Sequence, residues 1–317
     1  MQRIILDTDL AMGAPGSDVD DGFALALAHA DDEIQLDMVT TVNGNTDVES
    51  ATVLALDLRR RLGIDVPIYR GASAPLTHPE RVRTPPDHVV ANFGVGLEAD
   101  DGYAAVEMVR HVLAHPGEIT VVAIGPLTNV AAAIAIEPAF ASKVKELVIM
   151  GGVFLGTMSN REMPGEFNVW VDPEAAEAVL RSGIKQRWVG LDVTLKVRLT
   201  RDHARQLKES PADFAQLAGE STLSWIDFLQ QRNPGDPLLA DSCAMHDPLA
   251  VAAVAHPEFL TWNDAAVSVV TGDGVARGVM VADLLYSTQP PQPNCTIATA
   301  VDSDSFTEYF LRSLSSL

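Results

Sequence analysis

The sequence predicts an open α/β fold built on a mostly parallel sheet. Short apolar runs alternate with longer helical patterns through about two-thirds of the chain, and the early runs are apolar almost throughout. Alternation of this kind places helical crossovers between parallel strands. Strands that are apolar on both sides are typical of a sheet covered by helices on both faces.

The predicted elements follow one another from the first residues. The strands predicted before residue 200 are 3–9, 34–42, 66–71, 119–125, 146–152 and 186–193. The helices predicted between them are 20–30, 47–63, 104–115, 127–136 and 173–183. The strand runs are rich in β-branched residues, whereas the helical runs repeat their apolar residues at helical spacing.

The last third of the chain is predicted to add helices and a hairpin. Helical patterns cover 201–210 and the segment Pro211–Arg232, and a strand-like stretch at 265–283 is predicted to turn around Thr271-Gly272-Asp273-Gly274. Stretches bearing Pro and Gly at 73–97 and 233–237 are interpreted as surface loops, because neither has the length or bias of an interdomain linker. We therefore expect a single domain over residues 1–317.

Composition argues against several classes of partner. Asp and Glu number 43 against 22 Lys and Arg, a formal charge of −21, and the sequence shows no basic cluster able to follow a phosphate backbone, so nucleic acid is not expected. No signal-peptide pattern opens the chain and no apolar run is long enough to span a membrane. Cys243 and Cys295 lack metal-type spacing. A cytoplasmic protein with two reduced thiols and no membrane partner is the expectation.

Carboxylates gather where the first strand meets the first helix. Asp7 and Asp9 end the strand, and Asp18, Asp20 and Asp21 precede or open the helix. Open parallel sheets bind ligands at the carboxyl ends of their strands. Helix capping could account for the later three residues, but unpaired carboxylates on an apolar strand carry a desolvation cost. A bound divalent cation removes the conflict, and oxygen ligands favour Ca²⁺ or Mg²⁺.

Other polar side chains follow the later strands, and each has two interpretations. They are Asn43, Asn45, Thr128, Asn129, Asn160, Glu166, Asn168, His246 and Asp247. Asn beside Gly is common in turns, Thr128 could cap a helix, and Asp247 could be an N-cap before Pro248. Alternatively, the three hydrogen-bonding side chains Asn160, Glu166 and Asn168, in the loop after the strand predicted at 146–152, suit recognition of a polyhydroxylated ligand.

Taken in order, these segments resemble the inosine-uridine nucleoside hydrolase family from residue 4 to about residue 256. The family's DxDPGxDD is similar to Asp7-Thr8-Asp9 and Asp20-Asp21, separated here by a longer loop. Further matches are TTVNGN at 40–45, GPLTN at 125–129, MGG at 150–152, GEFN at 165–168 and MHDP at 245–248. The first and last motifs are the most specific of the set.

The resemblance implies a Ca²⁺ site and a nucleoside pocket. It assigns the metal to Asp9, Asp21, Asp247 and the main-chain carbonyl of Thr128, with ribose hydroxyls completing the shell. The residues implied to contact the sugar or the leaving group are Asp20, Asn45, Asn160, Glu166, Asn168, His246 and Asp247. Asp7 would support the metal loop from close by.

The chemistry implied is hydrolysis of the N-glycosidic bond of ribonucleosides to ribose and free nucleobase. A Ca²⁺-bound water would be activated by Asp9, and Glu166 with the asparagines would stabilise positive charge on the ribose. His246 is the candidate to assist the departing base, and Trp225 is a candidate aromatic wall. The resemblance also suggests a homodimer or homotetramer.

Two departures from the family pattern bear on the substrate. Ten residues, LAMGAPGSDV, separate Asp9 from Asp20, where the family's short form has three. The family's HGxxGL is replaced by Asn92-Phe93-Gly94-Val95-Gly96-Leu97. A base-contacting histidine is therefore missing at that position unless His88 replaces it.

Two other functions remain open from the sequence. A non-catalytic protein could use the same carboxylates for calcium-dependent binding of ribose or a nucleoside. A phosphohydrolase of the haloacid dehalogenase type also carries DxD after its first strand. Such an enzyme would further need a lysine loop and a late acidic pair, and Asp247 is the one late acidic residue with a suitable context.

Overall fold

The structure is a computed structural model that describes residues 1–84, 86, 88–156, 163–285, 289–315 and 317. Its strands are β1 Gln2–Thr8, β2 Ile34–Thr41, β3 Ile68–Arg70, β4 Ile119–Ala123, β5 Glu146–Met150, β6 Gln186–Val189, β7 Arg198–Thr200, β8 Ser242–Ala244, β9 Leu260–Val269, β10 Met280–Asp283 and β11 Cys295–Val301. Its helices are α1 Asp20–Ala30, α2 Val48–Leu62, α3 Val89–Phe93, α4 Ala104–Ala114, α5 Thr128–Ile136, α6 Ala139–Lys143, α7 Phe167–Val171, α8 Pro173–Leu180, α9 Leu191–Thr194, α10 Arg201–Lys208, α11 Asp213–Arg232, α12 Pro237–Asp241, α13 His246–Ala255 and α14 Ser303–Leu314. Short 3-10 turns occupy Pro79–Arg81 and Pro257–Phe259.

Nine of the described strands form one open sheet in the order β10-β9-β11-β6-β5-β4-β1-β2-β3. Strand β9 runs antiparallel to both of its neighbours, and the remaining pairs are parallel. The prediction of an open, mostly parallel sheet flanked by helices is confirmed. The small antiparallel pair β7 and β8 lies outside this sheet.

The sheet separates two hydrophobic clusters, because successive side chains of a strand point to opposite faces. In β1, Ile4 and Leu6 pack into one cluster and Ile5 into the other. The first cluster contains side chains of α1, α2, α11, α13 and α14, and we call this side the α1 face. The second contains side chains of α4, α5 and α8, with Val169 of α7, and we call this side the α5 face.

Helix α2 shows how local sequence fixes the position of a crossover. The Asp47 side chain accepts hydrogen bonds from the backbone N–H of Glu49 and Ser50, both at 3.1 Å, which satisfies two donors of the first turn. The helix ends at Gly63, whose φ of 65° lies in the left-handed region that glycine adopts without strain. The chain then returns to β3 at the edge of the sheet.

The predicted hairpin forms, with different bounds. Strands β9 and β10 pair antiparallel from Val269 opposite Met280, so the four residues predicted as the turn lie inside a longer connection, 270–279. Strand β9 also begins earlier than predicted, at Leu260. Strand β11, which the sequence analysis did not identify, inserts between β9 and β6. It joins the hairpin to the parallel part of the sheet.

No described helix is both long enough and apolar enough to cross a membrane. The longest described helix, α11, has 20 residues and buries one side, including Phe214, Ala218 and Ile226. The pattern is that of a helix packed against a protein core.

A buried ion pair fastens the amino ends of β5 and β6. Glu146 Oε1 accepts a hydrogen bond from Arg187 Nη2 at 2.9 Å, and Lys185 Nζ lies 3.2 Å from Glu146 Oε2. Burial by itself would raise the pKa of Glu146, but the charges and hydrogen bonds of Arg187 and Lys185 hold that pKa below its ordinary value.

We expect Glu146→Ala to lower the free energy of unfolding by about 3 kcal/mol, because Arg187 stays buried without its partner. The folded-state pKa of Glu146 is depressed, so its stabilisation is present above the unfolded-state pKa and is lost as pH falls through the folded-state value. Urea unfolding at pH 7 and pH 3 measures both effects. The control Glu118→Ala, at an exposed ion pair with Arg3, should cost less than about 1 kcal/mol. Equal losses for both variants at pH 7 would contradict the prediction.

Candidate active site

The candidate site lies at the topological switch point of the sheet, where the order in which strands are added reverses. From β1 the chain adds β2 and β3 on one side, and then β4, β5 and β6 on the other. Ligands of open α/β sheets bind outside the carboxyl ends of the strands at such a point. Asp7 and Asp9 stand at the end of β1, and Gly125 and Thr128 follow β4.

Asp9 lies at the centre of this region and is fully buried. The backbone N–H of Asn45 donates to its Oδ2 at 2.6 Å, whereas its Oδ1 has no hydrogen-bond partner among the described residues. A Cβ on Gly44 would lie 1.9 Å from Oδ2, and a Cβ on Gly125 would lie 2.9 Å from Oδ1. Glycine at these two positions therefore lets the loops after β2 and β4 close on the carboxylate.

Three further carboxylates meet beside Asp9. Asp20 and Asp21 open α1, and Asp247 lies in the first turn of α13. One oxygen from each of these three lies within 4.8 Å of the others. The N–H of Asp247 donates to Asp20 at 3.2 Å, and Asp21 accepts from Thr8 Oγ1 at 2.5 Å and from Asn45 Nδ2 at 3.0 Å.

The electrostatics of this cluster fit a bound cation. Burial raises the pKa of Asp9 well above its ordinary value, and the charge of Asp21 raises it further. Burial and then neighbouring carboxylates raise the pKa values of Asp20 and Asp247 in the same way. A divalent ion would offset this repulsion, and the all-oxygen donor set with the unpartnered Asp9 Oδ1 is of the kind that Ca²⁺ or Mg²⁺ takes.

Asp7 supports the site without joining the cluster. Its Oδ1 accepts from Thr40 Oγ1 at 2.7 Å and from Asn129 Nδ2 at 2.8 Å, and burial raises its pKa to about 7. Asn129 also donates to the carbonyl of Thr41 and accepts from the N–H of Ala72, each at 2.9 Å. The sequence analysis left the role of Asn129 open, and the structure shows that it ties β1, β2 and the loop after β3 together.

Thr128 is held by a residue that sequence reasoning missed. Its Oγ1 donates to Asp172 Oδ2 at 2.7 Å, and Asp172 also accepts from the N–H groups of Ala175 and Leu76. The hydroxyl proton of Thr128 is therefore committed to Asp172. The available signal was Asp172-Pro173, in which Asp172 is the N-cap of α8 and Pro173 its first residue. The alternative that Asp247 is an N-cap before Pro248 is wrong, because α13 begins at His246.

Glu166 is the N-cap of α7. It accepts from the N–H groups of Asn168 at 2.8 Å, Val169 at 3.0 Å and Gly152 at 3.1 Å. Burial raises the pKa of Glu166, while these backbone donors favour its charged form. The carboxylate is thereby fixed between the end of β5 and the start of α7.

Asn168 connects the ends of two central strands. Its Nδ2 donates to the carbonyl of Ile124, after β4, at 2.8 Å and to that of Met150, in β5, at 3.3 Å. Asn168 therefore stands beside the β1 and β4 switch point, as Glu166 does. Asn160 lies outside the described residues.

His246 opens α13 on the α1 face. Its Nδ1 lies 2.7 Å from Thr194 Oγ1, and burial, with the charge of Arg198, lowers its pKa to about 4. One ring nitrogen of His246 and one oxygen each of Asp18 and Asp20 lie within 4.8 Å of one another. The long loop before α1 thus brings Asp18 to the site, which the sequence analysis had considered only as a helix cap.

The long loop 10–19 rests on aromatic residues. Trp225 and Phe228 of α11 stack at 5.5 Å with an interplanar angle of 17°. A Cβ on Gly16 would lie 3.1 Å from Phe228, and a Cβ on Gly13 would lie 3.2 Å from Phe93. Phe228 therefore contacts the loop at Gly16, and the half-buried Trp225 stacks on Phe228.

The segment that departs from the family's HGxxGL has a structural role. Phe93 ends α3 and packs against the long loop, as its proximity to Gly13 shows. His88 is exposed and lies immediately before α3. The lengthened loop and this changed segment therefore contact each other.

Comparison with known proteins identifies the family that has this geometry. The family model described as inosine-uridine preferring nucleoside hydrolase matches residues 4–308. The chain belongs to this family. The assignment confirms the resemblance found in the sequence and excludes the haloacid dehalogenase alternative. The protein is thus an enzyme of the nucleoside hydrolase class.

Individual members of the nucleoside hydrolase family match over nearly the whole chain. A non-specific ribonucleoside hydrolase, RihC, from Salmonella agona (strain SL483) is 35% identical, covering 97% of this chain and 95% of its own length. A probable uridine nucleosidase 1 from Oryza sativa subsp. japonica is 34% identical, covering 89% and 85%. Among solved structures, a purine-preferring ribonucleoside hydrolase from Gardnerella vaginalis superposes with a TM-score of 0.85 at 26% identity, covering 99% of this chain and 98% of its own. The plant nucleoside hydrolase PpNRh1 superposes with a TM-score of 0.84 at 27% identity, covering 100% of this chain and 99% of its own.

We expect Ca²⁺ to raise the melting temperature of the EDTA-treated protein, because the ion binds the folded carboxylate cluster and not the unfolded chain. At a free concentration 100 times its Kd, one site adds about 2.7 kcal/mol to the free energy of unfolding. Calorimetry with Ca²⁺, Mg²⁺ or neither measures the shift. Asp21→Asn should remove most of the increase in melting temperature. The control Asp65→Asn should retain the increase, because Asp65 precedes the amino end of β3 and the cluster lies at the carboxyl ends of the strands. An unchanged melting temperature with every divalent ion tested would refute the site.

Proposed function

We propose that the protein hydrolyses the N-glycosidic bond of ribonucleosides, giving ribose and a free nucleobase, with Asp9 as the base for the attacking water. The observation that carries this proposal is the uncommitted Asp9 Oδ1, fully buried at the switch point of the sheet among three other carboxylates. The relatives named as ribonucleoside hydrolase and uridine nucleosidase support the choice of substrate.

The residues proposed to hold Ca²⁺ are Asp9, Asp21, Asp247 and the carbonyl of Thr128. When bound, the ion supplies positive charge that lowers the pKa of a coordinated water and positions the ribose diol. The asymmetry of the Asp9 contacts fits a role in proton transfer. Asn45 holds one oxygen at 2.6 Å, so the carboxylate has a fixed orientation and offers its other oxygen to the proton of the water.

Breaking the bond from C1′ to the base nitrogen builds positive charge on the ribose ring, and fixed anionic and amide oxygens stabilise it. Glu166 suits this role because three backbone N–H groups hold its carboxylate in place, so little reorganisation is needed as the charge develops. We propose that Asp20, Asn45, Asn160 and Asn168 complete the contacts with the sugar.

The leaving nucleobase is proposed to lie on the α1 face, beside His246 and the α11 aromatic pair. With a pKa of about 4, the imidazole of His246 is neutral at pH 7, so it assists the departing base by donating an N–H hydrogen bond. Trp225 and Phe228 offer a flat apolar surface for the base, with Phe228 the nearer to loop 10–19.

We propose that the protein forms a homodimer or homotetramer and that it is located in the cytoplasm. The family resemblance is the support for the assembly. The cysteines support the cytoplasmic location. Both Cys243 and Cys295 are free and buried, as is usual for thiols in a reducing compartment. Light scattering of the purified protein measures the assembly directly.

We expect Asp9→Ala to lower the kcat for ribose release by a factor of about 10² to 10⁴, the usual contribution of a positioned base. A reducing-sugar assay over purine and pyrimidine nucleosides, before and after chelation, measures the loss. The matched control Asp65→Ala removes an exposed carboxylate at the far edge of the sheet and should retain wild-type turnover. If a folded Asp9→Ala variant released ribose as fast as the wild type, the assignment of Asp9 as the general base would be wrong. No release by the wild type from any nucleoside, with calcium bound, would instead favour a ribose-binding protein.

A further inference from the structure

Two consecutive residues at the start of α5 are anchored to different elements of the fold. Thr128 Oγ1 donates to Asp172 Oδ2 at 2.7 Å, and Asp172 is the N-cap of α8. The next residue, Asn129, donates to Asp7 Oδ1 at 2.8 Å, in β1, and to the carbonyl of Thr41 at 2.9 Å, in β2. Thr128, Asn129 and Asp172 are all buried. Side chains at both ends of one peptide group are therefore held by separate parts of the protein.

The carbonyl of Thr128 belongs to the peptide group that joins Thr128 to Asn129. A peptide group is planar, so it moves as one unit between the two Cα atoms at its ends. Hydrogen bonds from the side chains at both ends limit how far that unit can shift or rotate. The two anchors therefore restrict the main-chain oxygen that is proposed to bind Ca²⁺.

Asp172 uses its two carboxylate oxygens for different contacts. Oδ1 accepts from the N–H of Ala175 at 3.0 Å, which is the N-cap bond of α8. Oδ2 accepts from the Thr128 hydroxyl and also from the N–H of Leu76 at 2.9 Å, in the loop after β3. An N-cap needs one acceptor oxygen, which Asn or Ser also supplies. Capping therefore does not explain the second oxygen of Asp172.

The complete burial of Asp172 makes the choice of a carboxylate costly. The residue has no exposed surface, and one hydroxyl and two N–H groups donate to it. Asn would cap α8 without a buried charge, but its amide nitrogen could not accept the two bonds that Oδ2 accepts. A carboxylate, by contrast, caps α8 and at the same time accepts from both Thr128 and Leu76.

We propose that Asp172 is a positioning residue of the Ca²⁺ site, which holds Thr128 so that its carbonyl is preorganised for the ion. This inference rests on the proposed function for the choice of the Thr128 carbonyl as a ligand. The oxygens of Asp172 are committed to Thr128, Leu76 and Ala175, so Asp172 acts through Thr128 and not as a ligand. Removing a hydrogen-bonding group that orients a metal ligand typically lowers metal affinity by about 10- to 100-fold.

Two substitutions break the same contact from its two ends. Asp172→Asn keeps the oxygen that caps α8 and removes the acceptor for Thr128, whereas Thr128→Val removes the hydroxyl and keeps the main-chain carbonyl. We expect each substitution to raise the Kd for Ca²⁺ by about 10- to 100-fold in calorimetric titration of the EDTA-treated protein. Because both remove one shared contact, the double variant should bind Ca²⁺ within about threefold of the weaker single variant.

Two control variants separate this contact from a general loss of stability. Thr128→Ser keeps the hydroxyl and should bind Ca²⁺ within about threefold of the wild type, and its contrast with Thr128→Val tests the contact even if Asp172→Asn does not fold. Asp302→Asn alters the exposed N-cap of α14, which also accepts from an N–H and a hydroxyl, both of Ser305, and should leave the Kd unchanged. Equal affinities of Thr128→Val and Thr128→Ser, an unchanged Kd in Asp172→Asn, or additive losses in the double variant would each overturn the proposal.

Turnover separates this inference from the proposed hydrolysis. At free Ca²⁺ about 100 times the Kd of Asp172→Asn, the kcat of this variant for ribose release should return to within about threefold of the wild type, because the site is then filled. A deficit that remains at saturation would mean that Asp172 acts on another step, which would overturn the role assigned to it. Ribose release by the wild type with an unchanged Kd in Asp172→Asn defeats this inference alone. A Kd that depends on Asp172 and Thr128, without ribose release from any nucleoside, supports the positioning role and defeats the proposed function.

Discussion

The architecture of this protein depends on the mutual repulsion of carboxylates buried at one point. Asp9, Asp20, Asp21 and Asp247 come from the end of β1 and the first turns of α1 and α13, and each is almost completely removed from water. Charged groups in such surroundings are costly unless a cation or hydrogen-bond donors compensate. The raised pKa values of Asp9, Asp20 and Asp247 express that cost, and a divalent ion held by the cluster would offset it.

The surroundings of the cluster are organised to keep it in place despite that repulsion. Gly44 and Gly125 let two loops approach Asp9 closely enough for a backbone N–H to bind it. Behind the cluster, Asn129 and Asp172 use their hydrogen bonds to join β1, β2, the loop after β3, α5 and α8. A site held from several elements is rigid, and rigidity reduces the reorganisation needed when charge develops on a substrate.

The two sides of the site differ in chemistry. On the α1 face, the long loop, Phe93, Phe228 and His246 present apolar and weakly polar surface, which suits an uncharged heterocycle. On the α5 face, Glu166 is held by three backbone N–H groups at the start of α7, so a fixed carboxylate lies on that side.

The sequence by itself determined the fold class, the family and most of the cluster. Periodicity and apolar runs are local properties, so they located β1 to β6 and the longer helices between them, and the motifs around Asp9, Asp21 and Asp247 identified the carboxylates. They did not locate the short helices α3, α6 and α7, and α3 lies in the stretch 73–97 that was interpreted as a surface loop. It did not locate β11, whose pairing with β9 and β6 is decided by distant residues, or the full turn from 270 to 279.

Only the tertiary structure decided which distant side chains meet. Asp172 reaches Thr128, Asp18 reaches His246, and Arg277 reaches Glu174, although long stretches of sequence separate each pair. No local pattern records such contacts, because they follow from how helices and loops pack over the sheet. The sequence therefore showed which carboxylates follow the first strand, and folding decided which distant side chains surround them.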